Sequence, residues 1–189
     1  MIYLASQSPR RAELLRRESI EFSKFSVDID ESSLANEKPL MYLERVVKAK
    51  LKAALSIRSL DILVLVADTI VVIDEEILQK PINFEVFCEY MHKLSGCWHQ
   101  VITGFAVGDG ESVCYEYRIT DVLFASLTDE EIKDYWQTNE PCDKAGGYAI
   151  QGIGQRFVKE IKGDFDNVVG LPVKEVKKVL AKFTFPHSN

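Results

Sequence analysis

From Ile62 to Ile73 the chain is apolar at every position except Asp68-Thr69. Ile62 to Ala67, a continuous run that Ile70 to Ile73 extends, has no polar face, as in a strand buried on both sides. Such a strand needs helices to cover it. Ser8-Pro9 opens one, with Ser8 as N-cap and Pro9 at the first helical position, reaching about Glu18. Pro39 begins a longer helix that ends near Ser56. Asn83 caps another, with Phe84, Phe87, Cys88, Met91 and Leu94 on one stripe and Gly96 at its end. Thr128 with Glu131 three residues on forms a capping box, and Pro172 starts the last helix. Strands are expected at Ile2–Ala5, Phe22–Val27, Val101–Val107, Ser112–Ala125 and Phe157–Ile161, with turns at Asp74-Glu75 and Gly108-Asp109-Gly110. Strands and helices interleave throughout, which predicts an α/β fold with a mixed, mostly extended sheet flanked by helices. No Pro-, Gly- or Ser-rich linker separates two independent parts, so residues 1–189 read as a single domain.

Four segments carry candidate chemistry. In Ser6-Gln7-Ser8-Pro9-Arg10-Arg11 a strand ends and a helix begins. Two arginines in a first helical turn oppose the helix dipole, so an anion should compensate. Phosphate at a helix N-terminus does that, with hydroxyls and guanidinium groups as further donors. Alternatively, both arginines are solvated or pair with Glu13 or Glu18. Lys50 falls within the stripe made by Leu43, Val47, Leu51 and Ala54, where a charge needs a partner or a cleft unless it snorkels to solvent. As a costly buried charge, it should be replaceable by methionine without loss of stability. Asp68 interrupts buried β-structure, which is expensive unless it is paired or binds metal. Its bland reading is a turn residue, with Thr69 starting a separate strand. The segment Glu140 to Gly152 holds acid, base and amide groups on a glycine-rich loop, where glycines permit φ > 0 or close approach to a ligand. The acidic loop Asp28, Asp30 and Glu31 is either solvated or a source of oxygen ligands for Mg²⁺. His92, His99 and His187 receive no role, His92 being placed on the exposed side of its helix.

Charge and cysteine usage narrow the partners. The formal net charge of −6 argues against non-specific binding to duplex nucleic acid or anionic lipid. A phosphate site must then be a local positive patch. The four cysteines, Cys88, Cys97, Cys114 and Cys142, form no Cys-x-x-Cys pair, which disfavours zinc and a disulfide framework. With no leader-like N-terminus and no apolar run of membrane-spanning length, a soluble cytoplasmic protein is expected.

These segments together resemble the Maf family, over Leu4 to Leu180. The family's Ser-x-Ser-Pro-Arg-Arg stands at Ser6 to Arg11, and its acidic step at Asp30-Glu31-Ser32. Its Ala-Asp-Thr is Ala67-Asp68-Thr69, and its Lys-Pro is Lys80-Pro81. Ser95-Gly96, His99-Gln100-Val101 and Thr103-Gly104 match the middle of the pattern. Glu140 to Gly152 matches the late block, and Val169-Gly170-Leu171-Pro172 closes it. The resemblance implies two lobes around a deep cleft, similar to inosine triphosphate pyrophosphatases. It implies hydrolysis of a nucleoside triphosphate to monophosphate and pyrophosphate with a divalent cation, Mg²⁺ or Mn²⁺. It assigns catalysis to Asp68, phosphate contacts to Ser6, Arg10, Arg11, Lys50 and Lys80, and the metal to Glu31 with Asp68. Arg10, Thr69 and Gln151 match the branch similar to dTTP/UTP pyrophosphatases, where the 7-methyl-GTP branch carries Trp, Gln and Glu. Val46-Val47, Cys142, Gly147 and Ala149 depart from the usual pattern without removing a charged group. The partner expected is a nucleoside triphosphate, with no nucleic acid and no membrane, and a homodimer is left open. Two alternatives stand beside this reading: a purine or other non-canonical triphosphate housecleaning pyrophosphatase, and a nucleotide-binding regulator of cell division with little turnover.

Overall fold

The computed structural model describes residues 1–57 and 62–184; His187 lies outside them. The elements run β1 (Ile2–Ala5), α1 (Pro9–Arg17), β2 (Phe22–Phe25), α2 (Pro39–Ile57), β3 (Val64–Ile73), β4 (Glu76–Leu78), α3 (Phe84–Leu94), β5 (Trp98–Gly108), β6 (Val113–Phe124), α4 (Asp129–Gln137), β7 (Val158–Lys162), α5 (Phe165–Val169) and α6 (Val173–Thr184). The sheet order is β2-β1-β3-β5-β6-β7, with β4 paired to β3. β1 is parallel to both β2 and β3, while β3–β4 and β6–β7 are antiparallel, so the sheet is mixed as expected.

Local chemistry explains most boundaries. Ser8 caps α1, its side chain accepting from the Arg11 backbone, and Pro9 takes the first helical position. Asn83 caps α3 through the Val86 amide, and Thr128 with Glu131 makes the full capping box on α4. Asp74 and Glu75 both have positive φ, 50° and 65°, the two-residue turn that matches the twist of a hairpin. Asp68-Thr69 does not break β3, which runs through them without interruption. β5 begins at Trp98, earlier than its apolar pattern suggests, and α5 had no periodic signal to announce it. The glycine-rich segment is not open loop but short 3₁₀ turns at Glu140–Asp143, Ala145–Gly147 and Ile153–Phe157.

The chain forms two compact units. The first comprises Met1–Asp68, Thr103–Arg118 and Gly170–Asn189; the second comprises Thr69–Ile102 and Ile119–Val169. The first buries Leu4, Leu14 and Leu15, then Leu43, Val46, Val47 and Leu51 of α2, Val64 to Ala67, and Val173, Val176 and Val179 of α6. The α2 stripe deduced from sequence is therefore its core face. The second has a core of Val71, Leu78, Phe87, Met91, Leu94, Phe124, Tyr135, Tyr148 and Phe157. Among the described residues no helix is long and apolar enough to cross a membrane.

Candidate active site

In the first unit the site begins where β1 ends. β1 and β3 pair with Leu4 opposite Leu65, so two residues further Ser6 and Ala67 stand at the same level. Ser6 is buried, and its Oγ accepts from the Ser8 amide at 3.2 Å and from Arg11 Nη1 at 3.2 Å. Arg11 turns back from α1 rather than outward. Its Nε donates to the Gly170 carbonyl at 2.8 Å and its Nη1 to the Ala67 carbonyl at 2.8 Å. The guanidinium thus ties three separate chain segments together. Burial is the largest influence on Arg11 and draws its pKa below the ordinary arginine value. Asp68 opposes this, Arg10 adds to it, and Glu31 opposes it again. Arg10, Asp68 and Glu31 thus all lie within electrostatic range of Arg11.

Lys50 joins two of them. Its Nζ lies 2.8 Å from Asp68 Oδ1 and 2.7 Å from Glu31 Oε1, with the Lys50 side chain 12 % exposed, Asp68 16 % and Glu31 44 %. The lysine within the apolar stripe therefore has two carboxylate partners and does not snorkel. Glu31 is brought there by α2. Tyr42 Oη donates to the Glu31 carbonyl at 2.9 Å. Arg45 donates to the Ser32 carbonyl at 2.8 Å and makes a two-point contact with Glu37 at 2.6 and 2.7 Å. Asp30 instead caps its own turn, accepting from the Ser32 amide at 2.8 Å. Of the acidic loop, Glu31 is the residue that meets Lys50. Nothing in the sequence signals this grip of Arg45 on the loop.

A divalent cation suits this donor set. Two carboxylate oxygens converge within reach of a single ammonium, and Mg²⁺ is held by one or two carboxylates, waters and substrate phosphates. Among the described residues no group of three or more His, Cys, Asp or Glu side chains is clustered for a metal.

The second unit holds the remaining candidates. Thr69 follows Asp68 on β3, and Lys80 is exposed beyond β4, next to buried Pro81. Gln151 is exposed between Ile150 and Gly152. The glycines around it face protein. A Cβ on Gly146 would stand 2.9 Å from Val71, one on Gly147 2.9 Å from Phe87, and one on Gly152 2.4 Å from Glu140 Oε2. The close approach seen here is to the core and to Glu140. His99, given no role from sequence, is buried, with Nε2 2.7 Å from Tyr148 Oη. A histidine between Trp98 and Val101 gave no signal of that pairing.

An α/β unit with a serine and arginines at a helix start, beside an acid–lysine–acid centre, has the makings of a phosphate-handling enzyme. The chain belongs to the Maf family: residues 1–183 match the family described as Maf-like protein. It is 47 % identical over 182 residues to a dTTP/UTP pyrophosphatase of Pseudoalteromonas translucida, covering 96 % of each chain. It is 42 % identical over 182 residues to a protein of the same description from Escherichia coli, covering 96 % of this chain and 92 % of the other. A solved nucleoside-triphosphatase, a dITP/XTP pyrophosphatase from Mycobacterium abscessus, aligns over 98 % of this chain and 99 % of its own with a TM-score of 0.51. At 12 % identity that likeness shows a shared fold.

Proposed function

We propose that this chain hydrolyses dTTP and UTP to the nucleoside monophosphate and pyrophosphate, in a divalent-cation-dependent reaction. The description shared by relatives above 40 % identity over nearly the whole chain supports the substrate class. The observation that carries the chemistry is Lys50 held between Glu31 and Asp68, beside Ser6 and the arginines of α1. In this reading water attacks the α-phosphorus in line with the bridging oxygen to the β-phosphate. A bond forms from water oxygen to the α-phosphorus, and the bond to the bridging oxygen breaks. Asp68 takes the proton from the attacking water. Arg10, Lys50 and Lys80 meet the charge that grows on the phosphate oxygens and on the departing pyrophosphate. Ser6 and the α1 N-terminus offer neutral donors to the same group. Glu31 and Asp68 would hold the divalent cation, which when bound supplies charge neutralisation on the phosphates. Gln151 and Thr69 face the base, since a carboxamide can both donate to a carbonyl and accept from an imide N–H.

Pyrophosphate release over a panel of UTP, dTTP, ITP, GTP and 7-methyl-GTP, with Mg²⁺ and with chelator, tests this. The expected result is turnover highest on the pyrimidine triphosphates and lost with chelator. Highest turnover on a purine triphosphate would replace the substrate assignment, and no turnover on any would favour a binding protein.

A further inference from the structure

Gln151 sits at the apex of a segment that is gripped on both sides. Before it, the Ala149 amide donates to Tyr135 Oη at 3.2 Å. After it, the Ile153 amide donates to Glu140 Oε2 and the Gly154 amide to Glu140 Oε1, each at 2.9 Å. The two grips are joined, because Tyr135 Oη itself donates to Glu140 Oε1 at 2.7 Å. One hydroxyl and one carboxylate thus fix the backbone on either side of the proposed base contact.

The flanking glycines fit this pair. A Cβ on Gly154 would stand 2.5 Å from Tyr135 Oη and 2.7 Å from the Ala149 carbonyl, and one on Gly152 would meet Glu140 Oε2 at 2.4 Å. Gly152 also has φ +128°, which a side chain resists. Burial pushes the Glu140 pKa up, but bonds from Gly154, Tyr135 and Ile153, with the Lys144 charge, outweigh it and leave the carboxyl below its ordinary value. Burial first, then the Glu140 bond, pushes the Tyr135 hydroxyl up, so it stays a donor. Hydrogen bonds to an ionised acceptor are the stronger kind. A reading group must be held to within a fraction of an ångström, and an exposed side chain on an unsupported glycine-rich loop is not.

We propose that Glu140, with Tyr135 as its partner, is the positioning residue that sets where Gln151 presents its carboxamide, and so controls base discrimination. This rests on the reading of Gln151 as the base contact. Both residues act on Gln151 through the backbone they hold. Removing the anchor should therefore blur the choice of base while leaving phosphate recognition intact.

The test compares wild type, Gln151→Ala, Glu140→Gln and Tyr135→Phe. The measurements are kcat/KM for UTP and GTP, inhibition by pyrophosphate, and backbone hydrogen exchange across residues 149–154. Glu140→Gln is expected to lower the UTP-to-GTP preference about tenfold, mostly through KM for UTP, as Gln151→Ala does. Pyrophosphate inhibition should stay unchanged, and exchange at 149–154 should quicken. Tyr135→Phe keeps the ring in the core and should shift both readouts the same way. If Gln151→Ala erases the preference while both anchor variants retain it, the anchor proposal fails and the base reading stands. A wild type with no preference overturns the base reading and this proposal's link to specificity together. Exchange unchanged in both anchor variants overturns the anchor itself, whatever the base preference.

Discussion

His99 should make the protein lose stability in mild acid. It lies on β5 at 2 % exposure, edge-on to Phe124 and Tyr148 with ring centroids 5.0 and 5.5 Å away. Its Nε2 meets Tyr148 Oη, and its Nδ1 has no hydrogen-bond partner. Burial lowers its pKa from 6.5 to about 4, with the Cys97 backbone as a smaller opposing influence. The unfolded chain therefore takes up a proton on this ring as pH falls through 6.5, while the folded chain does not until about 4. In that window the unfolded state binds more protons, so stability falls with pH. The full effect is on the order of 3 kcal/mol, of which about 1 is lost by pH 5.5 and most by pH 4.5. Urea unfolding of wild type and His99→Gln at pH 7, 5.5 and 4.5 isolates the effect, since carboxylates titrate alike in both. The variant should be less stable at pH 7, through lost ring packing, and should close that difference by about 2–3 kcal/mol at pH 4.5. Parallel curves from pH 7 to 4.5 would refute the reasoning.

Lys50→Met should melt earlier, reversing the sign expected from a lone buried charge. Lys50 is doubly paired, and its loss sets Glu31 against Asp68 at a cost of about 1–3 kcal/mol, less than for a fully buried pair; calorimetry decides, and a raised Tm would sink the pairing argument. Asp68→Asn should lower kcat on UTP by roughly 10²–10⁴-fold with the fold intact by circular dichroism, and near-native turnover would remove it as the base. Arg11→Lys cannot reach the Gly170 and Ala67 carbonyls as a fork does, and should cost about 2–4 kcal/mol in urea unfolding. Gln151→Glu should reduce kcat/KM for UTP and dTTP by roughly 1–3 kcal/mol more than for GTP, and equal losses on all would show that the residue does not read the base.

Elements with local chemistry were legible from sequence. Ser8-Pro9, Asn83 and Thr128-Glu131 mark helix starts because a cap involves neighbours. Lys50 was legible as a misfit, since a charge inside an apolar stripe demands a partner, although only coordinates name Glu31 and Asp68. The further engagement of Arg11, through Nε and Nη1 with carbonyls 159 and 56 residues away, was not legible, because a backbone carbonyl leaves no mark in composition or spacing. Glu140 was hidden for the same reason: the Ile153 and Gly154 amides that it binds look like any others. α5 escaped because five residues cannot display a helical period.

A ribosome delivers the two units out of step. The second is fully synthesised once Val169 is added, whereas the first still lacks Gly170 onward. Yet α1, made about 160 residues earlier, is held at both ends by residues after Val169, through Arg11 with the Gly170 carbonyl and Glu18 with Lys177 at 3.0 Å. At roughly 5–20 residues per second the first helix waits on the order of ten seconds for its fastening. A chain that stops short of Gly170 therefore leaves Arg11 with one of its two carbonyl partners missing and the far end of α1 without its lysine contact.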